Sequence, residues 1–180
     1  MRLSGLLSLA ATDKPRFEYF RRHDQLPFHG GSENDAARTH RRFTIGEAFA
    51  LRLMLDLIGE DAEAGLGGVP PLYAHRVIVN AMARAREAGF RTLEDFAVAQ
   101  LLIGAVILEE RGTADTDRLR FSRWIACAAA DLGPEVAAIA AREDAQPVRL
   151  LIVNAARAAL DVIGRAQALG IADRPEDALA

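Results

Sequence analysis

The sequence has little cysteine and few aromatic residues. Cys127 is the only cysteine among the 180 residues, so the chain can form neither an internal disulfide nor a multi-cysteine metal site. Its neighbours at 124–129 are mostly apolar, which predicts that this thiol is a buried core residue. Phe, Trp and Tyr make up 6% of the chain, which argues against a large all-β sandwich.

Long hydrophobic runs are also missing. The longest nearly apolar stretch, residues 96–108, contains Gln100 and is too short to span a bilayer. The first residues show no charged region followed by a long apolar stretch and a cleavage site, so no secretion signal is predicted. We therefore expect a soluble, cytoplasmic protein that has no membrane partner.

A strong excess of positive charge is absent as well. The formal net charge of -3 and the sequence pI of about 5.8 argue against coating nucleic acid through bulk charge. The charges are unevenly distributed, because residues 1–44 carry eight Lys/Arg and five Asp/Glu, whereas residues 45–180 carry fourteen and twenty. A basic head on an acidic body suits an anionic partner that is bound locally.

The residues that are abundant favour helices. Ala, Leu, Arg and acidic residues dominate, and the 51% of hydrophobic residues is enough for a core. Residues 3–9 predict a short helix, and residues 14–23 predict a second helix after a turn. Thr12 or Asp13 is expected to cap the second helix by accepting hydrogen bonds from its N–H groups. Five phenylalanines have the spacing of core residues: Phe17, Phe20, Phe28, Phe43 and Phe49.

A basic, Gly-rich loop over residues 29–43 follows the two short helices. The pattern Thr44-x-x-Glu47 is a capping box, and it opens a long amphipathic helix that is predicted to run through Ile58. An acidic, Gly- and Pro-rich connection comes next, and a further helix is expected over residues 72–88.

The second half is also predicted to be helical. We expect helices over residues 93–110 and 148–169. Residues 118–141 fit either a small β-hairpin or a broken helix, and we favour the hairpin. The prediction is therefore a mainly α protein with two domains, residues 1–89 and residues 90–180.

Three segments of the first half carry a recognisable pattern. They are Leu-Leu-Ser-Leu-Ala at 6–10, Arg-Phe-Glu-Tyr-Phe-Arg-Arg-His-Asp-Gln-Leu-Pro-Phe at 16–28, and Arg-Arg-Phe-Thr-Ile-Gly-Glu-Ala-Phe-Ala-Leu-Arg-Leu-Met at 41–54. Their order resembles the head of the MerR family of transcription regulators over residues 3–88. The loop at 29–43 is longer than usual for that family, and the cysteine ligands of its metal-sensing members are absent.

The resemblance implies a winged helix-turn-helix head that is joined to a helical C-terminal region and binds double-stranded DNA. It implies a recognition helix at 14–23 in the major groove and a basic wing at 29–43 on the backbone or in the minor groove. Arginine suits both places because its guanidinium donates two parallel hydrogen bonds. The DNA-binding residues that the resemblance implies are Lys14, Arg16, Tyr19, Arg21, Arg22, His40, Arg41 and Arg42.

No pattern in the chain indicates catalysis or a cofactor. His29-Gly30-Gly31 is similar to the oxyanion loop of some esterases, but the Gly-x-Ser-x-Gly motif that must accompany it is missing. The histidines form no pair at a spacing of four, and no metal signature is present. We expect a protein that is not an enzyme and that carries neither a cofactor nor a metal.

Two other functions remain open at this point. The same head suits a protein–protein adaptor or antirepressor that does not bind DNA, and the small basic excess favours that alternative. A small-molecule-binding regulator needs a pocket lined by Phe121, Trp124 and residues 96–108.

The predicted helix at 148–169 is apolar on more than one side, so it is either deeply buried or shared with a second subunit. Since short DNA-reading heads usually act in pairs, we expect a homodimer.

Overall fold

The secondary structure is mainly helical and includes one small sheet. A computed structural model describes residues 1–28, 42–59, 68–111 and 119–171. The helices of these segments are α1 (Leu3–Ala10), α2 (Lys14–Arg22), α3 (Ile45–Ile58), α4 (Pro71–Glu87), α5 (Leu93–Val98), α6 (Leu132–Arg142) and α7 (Ala155–Ala168). The strands are β1 (Leu101–Glu110), β2 (Arg120–Ala128) and β3 (Ala145–Asn154), and a short 3-10 helix (Ala129–Asp131) precedes α6. The mainly α prediction is confirmed, but the C-terminal half contains a sheet as well as helices.

The predicted helices of the N-terminal half are confirmed. The carboxylate of Asp13 accepts a hydrogen bond from the Arg16 N–H at 2.8 Å, which caps α2 as expected. The capping box of α3 is complete, because the Thr44 hydroxyl accepts from the Glu47 N–H at 3.0 Å and the Glu47 carboxylate accepts from the Thr44 N–H at 2.9 Å. The capping residues in the sequence therefore predicted correctly where α2 and α3 begin.

The helix that was predicted over residues 93–110 is wrong beyond Val98. The backbone at Gln100 has a φ of 49°, and the chain then continues as β1, the central strand of the sheet. Ile103 packs into the main core on one face of β1, and Val106 packs into a second cluster on the other face. A strand that is covered on both faces is apolar throughout, so its pattern resembles that of a buried helix.

The helix that was predicted over residues 148–169 is wrong in its first part. Residues 148–154 belong to β3, which pairs with β1, and only the remainder forms α7. The side-chain oxygen of Asn154 caps α7 by accepting from the Arg157 N–H at 2.9 Å. The strand and the helix are both largely apolar and follow one another without a Gly or Pro, which concealed the boundary.

Residues 118–141 contain a strand and a helix. The favoured hairpin was right in assigning a strand, because β2 pairs antiparallel with β1. The prediction was wrong about the partner strand. A hairpin within residues 118–141 would contain both strands, whereas β1 lies before residue 118. Gly133 and Pro134 belong to the first turn of α6, where the missing N–H of proline costs no helical hydrogen bond.

The sheet has the order β2-β1-β3, and all its pairs are antiparallel. Gly104, in the middle of β1, lies opposite Ile125 on β2 and Ile152 on β3. A Cβ atom at position 104 would stand 1.9 Å from the carbonyl oxygen of Leu151. The close approach of β3 to β1 therefore requires glycine at this position.

The edge strand β3 contains a β-bulge. Ile107 of β1 pairs with Arg149, but the next residue, Leu108, pairs with Pro147, so Val148 is the extra residue on β3. Pro147, Val148 and Arg149 are all exposed. This half of β3 is consequently accessible on both of its faces.

Helices cover both faces of the sheet. α6 packs on one face around Val106 and Ile125, whereas α1, α3, α4, α5 and α7 enclose the main core on the other. The predicted domain boundary at residue 89 falls between α4 and α5. Residues from both sides of that boundary share the main core, where the Phe49 ring of α3 meets the Phe96 ring of α5 edge-on at 5.2 Å.

A bidentate ion pair joins β2 to the end of α6. The Arg123 guanidinium donates through Nε to one Glu143 carboxylate oxygen at 2.9 Å and through Nη2 to the other at 2.7 Å. These hydrogen bonds hold the pKa of the Glu143 carboxyl below its ordinary value and raise the pKa of Arg123. The Arg123 guanidinium also lies 4.8 Å from the centroid of the Phe121 ring.

Acid is expected to weaken the fold through this pair. A carboxyl whose pKa is lower in the folded state stabilises the fold above its ordinary pKa, and that stabilisation is lost as the pH falls through the folded value. Urea unfolding at decreasing pH should therefore show a shallower loss of stability in Glu143→Gln than in wild type. Glu94→Gln, which changes an exposed carboxylate of α5, is the matched control. Parallel curves for wild type and Glu143→Gln would contradict this account.

Candidate nucleic-acid interface

Helix α2 is attached to the molecule by one aromatic face. The side chains of Phe17 and Phe20 are each only 2% exposed. The Phe17 ring meets the ring of Phe43, just before α3, at 5.9 Å and an angle of 88°. The prediction that these three phenylalanines are core residues is confirmed, and together they fix which face of α2 points away from the protein.

The outward face of α2 carries Tyr19 and Arg22. Successive residues of a helix are about 100° apart, which places these two residues opposite Phe17 and Phe20. Tyr19 is 48% exposed, and Arg22 is exposed. The Tyr19 ring packs against the exposed ring of His23, with 4.5 Å between the centroids. The outward face therefore combines a tilted pair of aromatic rings with a cation.

The remaining cations of α2 lie on its two flanks. Lys14 and Arg21 share one flank, and Arg21 pairs with Glu18 at 2.6 Å while remaining 56% exposed. Glu18 itself is 19% exposed, so Arg21 is paired on its inner side and still reaches solvent. Arg16 lies on the other flank, half-buried, with its guanidinium 6.0 Å from the centroid of the Phe20 ring.

Two residues with left-handed backbone conformations bracket α2. Ala11, between α1 and α2, has a φ of 52°, and Asp24, after α2, has a φ of 55°. The left-handed residue between α1 and α2 lets the chain turn within a few residues. The structure thus contains a helix, a tight turn and a second helix in the predicted order.

A second basic position lies where the chain returns to α3. The Phe43 N–H donates to the carbonyl oxygen of Met1 at 2.8 Å, which brings the backbone of residues 42–43 beside the start of α1. Arg42 and Arg2 are both exposed there. Arg2 was not among the predicted site residues, and the sequence shows only that it belongs to the basic N-terminal segment. The other predicted wing residues, His40 and Arg41, lie outside the described residues.

Several cations of this surface are available for an external anion. Within residues 1–28, 42–59, 68–111 and 119–171, no acidic side chain forms an ion pair with Lys14, Arg22 or Arg42. On α2, Glu18 pairs with Arg21, and Asp13 and Asp24 stand beyond the two ends of the helix. The exposed surface of α2 therefore carries an excess of positive charge.

The residues proposed for a small-molecule pocket do not meet. Phe121 packs into the cluster beneath α6, whereas Trp124 packs against the main core on the other face of the sheet. Residues 96–108 are not one helix, because they include the end of α5 and most of β1. The alternation of side chains along β2 separates the two aromatic rings, so the predicted pocket is not formed.

Cys127 differs from its prediction. It is half-buried on β2 and not fully buried, and burial raises the pKa of its thiol.

Across the described residues, no group of three or more His, Cys, Asp or Glu side chains is arranged to hold a metal ion. None of the helices described above is both long enough and apolar enough to cross a membrane.

Comparisons with protein-family models, with curated proteins and with solved structures yield no match to this chain. The resemblance to the MerR head therefore stays a prediction that depends on the residues quoted above. The order of α1, the turn, α2 and α3 is the part of that pattern that the described residues contain.

Proposed function

We propose that this chain is a DNA-binding transcriptional regulator that places α2 in the major groove of duplex DNA. The observation that supports the proposal best is the orientation of α2. Its aromatic face is buried against Phe43, and its opposite face presents Tyr19 and Arg22 to solvent. The fixed inner face gives the outer side chains a defined direction, which reading a groove requires.

The size and the chemistry of α2 suit this role. An α-helix is about 10–12 Å across with its side chains, and the major groove is about 12 Å wide, so the nine-residue α2 fits into it. In this arrangement the Arg22 guanidinium donates to a guanine edge or a phosphate, and the Tyr19 hydroxyl donates to a phosphate. Lys14, Arg16 and Arg21 flank them and add contacts to the sugar-phosphate backbone.

The basic segment before α3 completes the proposed interface. Arg42 and Arg2 lie beside the hydrogen bond from Phe43 to Met1, and we assign them phosphate contacts. The wing function of His40 and Arg41 is part of the same proposal. The acidic remainder of the chain is repelled by DNA, which leaves the head as the contact surface.

The proposed functional form is a homodimer, since paired heads bind two half-sites on one side of the duplex. Most apolar residues of α7 are buried within the same chain, among them Ala159 and Val162. Leu160, at 59% exposure, is the large apolar residue that α7 leaves on its outer face. Burial within the chain thus explains most of the apolar character of α7, and the dimer remains a proposal.

Removing two cations from the proposed interface should weaken DNA binding and reduce its dependence on salt. We expect the affinity of Arg22→Ala/Arg42→Ala for duplexes selected from a randomised pool to fall by at least about tenfold. The slope of log affinity against log salt should decrease by about 0.9 for each phosphate contact that is lost. Fluorescence anisotropy at several salt concentrations measures both quantities.

The matched control is Arg149→Ala/Arg157→Ala, which removes the same charge from exposed positions on β3 and α7. Its affinity and its salt slope should stay close to those of wild type. Equal losses in the two double variants would show that net charge alone controls binding. If the wild-type chain selects no duplex and shows no salt-dependent binding to the pool, the proposal is wrong.

A protein–protein adaptor is the second candidate function. The observation that favours it is the neutralisation of Arg21 by Glu18 on a chain whose net charge is negative. An adaptor would co-purify with one protein in a fixed ratio, and Tyr19→Ala would release that protein. The absence of duplex binding together with such a complex would select this candidate.

A further inference from the structure

The C-terminal end of α1 depends on a residue from the far end of the chain. The Ala11 N–H donates to the Ser8 carbonyl oxygen at 3.3 Å, and the Thr12 N–H donates to the Leu7 carbonyl oxygen at 3.0 Å. These bonds close the turn after α1, and no backbone N–H of the described residues donates to the Leu9 carbonyl. That oxygen instead accepts a hydrogen bond from Nη1 of Arg165, on α7, at 3.0 Å.

Arg165 places a positive charge at the C-terminal end of α1. The last turn of α1 itself contains no basic residue that could interact with the partial negative charge at the helix end. The hydroxyl oxygen of Thr12 is buried and has no partner among the described residues, so it does not contribute a cap. Arg165 is half-buried, and its charge-assisted hydrogen bond therefore acts where solvent competes weakly.

The hydrogen bond from Arg165 to the Leu9 carbonyl lies close to the start of α2. Leu9 lies in the last turn of α1, and only the short turn of residues 11–13 separates α1 from α2. Because that turn is tight, a shift in the end of α1 moves the start of α2. Phe17 and Phe20 hold the middle and the end of α2, so the part of α2 that can follow the end of α1 is its start, which carries Lys14 and Arg16.

We propose that Arg165 is a positioning residue for the DNA-reading helix, acting through the Leu9 carbonyl without contacting DNA. The inference rests on the proposed function for its effect on DNA, whereas the anchoring of α1 can be measured in the protein alone. It also links α7 to the interface, because α7 packs against α1, α3 and α5 as well.

The test compares substitutions on α7. Arg165→Met keeps the apolar stem and removes the donors, Arg165→Lys keeps a charge and one donor group, and Arg157→Met alters an exposed arginine of the same helix. In native-state hydrogen exchange, we expect the amides of Ala11 and Thr12 to exchange about tenfold faster in Arg165→Met, because a hydrogen bond to a charged donor is lost. Arg165→Lys should restore part of the protection, and Arg157→Met should match wild type.

The second measurement separates positioning from general stability. Val162→Ala, at a fully buried position of α7, lowers global stability but keeps Arg165. At a temperature where all variants are folded, Arg165→Met should bind a selected duplex about tenfold more weakly with an unchanged salt slope, whereas Val162→Ala should bind normally.

The outcomes separate the two proposals. Unchanged exchange of Ala11 and Thr12 in Arg165→Met would overturn the inference even if the wild type binds DNA well. Normal duplex binding by Arg165→Met would also overturn the inference. Faster exchange in a chain whose wild type binds no duplex would support the anchoring role and would refute the DNA-binding function instead.

Discussion

Phe49→Ala is expected to lower the free energy of unfolding by about 3–5 kcal/mol, the usual cost of deleting a fully buried phenylalanine side chain. Phe49 is 0% exposed on α3, and its ring meets Phe96 of α5 edge-on at 5.2 Å. The substitution removes the ring contact and leaves a cavity in the main core. Chemical denaturation followed by circular dichroism measures the loss.

The same experiment tests the predicted domain boundary at residue 89. Since Phe49 and Phe96 stand on opposite sides of it, we expect one cooperative transition that shifts as a whole. Val98→Ala is the control, because Val98 is 85% exposed on α5 and should change stability by less than about 0.5 kcal/mol. Two transitions, of which Phe49→Ala moves only one, would show that the halves unfold independently.

Gly104→Ala is expected to destabilise the sheet by an amount at the upper end of about 1–3 kcal/mol, the usual range for overpacking. The added Cβ would stand 1.9 Å from the Leu151 carbonyl oxygen and 3.0 Å from the Ile152 Cα. Both are backbone atoms of β3, so no side chain can rotate away, and the β1–β3 pairing must distort. Urea denaturation curves of the variant and the wild type give the difference.

Gly164→Ala is the matched control for this substitution. Gly164 lies in the interior of α7, is exposed, and would have nothing within 4 Å of an added Cβ. Alanine there should raise stability by up to about 1 kcal/mol, because it restricts the unfolded backbone and favours helix. Opposite signs at the two glycines are the expected result, and equal effects would contradict the steric explanation.

The N-terminal helices could be predicted because their ends carry local signals. Asp13 and the pair Thr44 and Glu47 accept or exchange hydrogen bonds within four residues of where they stand, so sequence spacing alone identifies them. Phe17 and Phe20 also revealed the inner face of α2 through their spacing of three. These features depend on neighbours along the chain and not on the fold.

The sheet could not be predicted in the same way. Ile103 and Val106 are buried on opposite faces of β1, so the alternation that usually marks a strand is missing. The pairing of β1 with β3 joins residues that are far apart in sequence, as with Gly104 and Ile152. Such partners leave no periodic signal within either segment.

The candidate site shows the same division between local and distant effects. Helical spacing predicts Tyr19 and Arg22 on the outer face of α2, and both are exposed there. The same spacing assigns Arg16 to that face, but Arg16 is half-buried on a flank, with its guanidinium near the Phe20 ring. Arg165 was not predicted, because nothing near position 165 indicates a contact with Leu9, 156 residues away. The positive charge of Arg2 is evident from the sequence. Its proximity to Arg42 is not, because it depends on the hydrogen bond from the Phe43 N–H to the Met1 carbonyl oxygen.

The bulged edge of β3 restricts how copies of this protein can associate. An open strand edge invites another chain to extend the sheet, and repeated addition leads to aggregates. Pro147 has no N–H to offer an incoming strand, Val148 interrupts the ladder, and Arg149 would bring like charges together between copies. Sheet extension at β3 is thereby disfavoured, and an orderly pair of these molecules is expected to join through another surface.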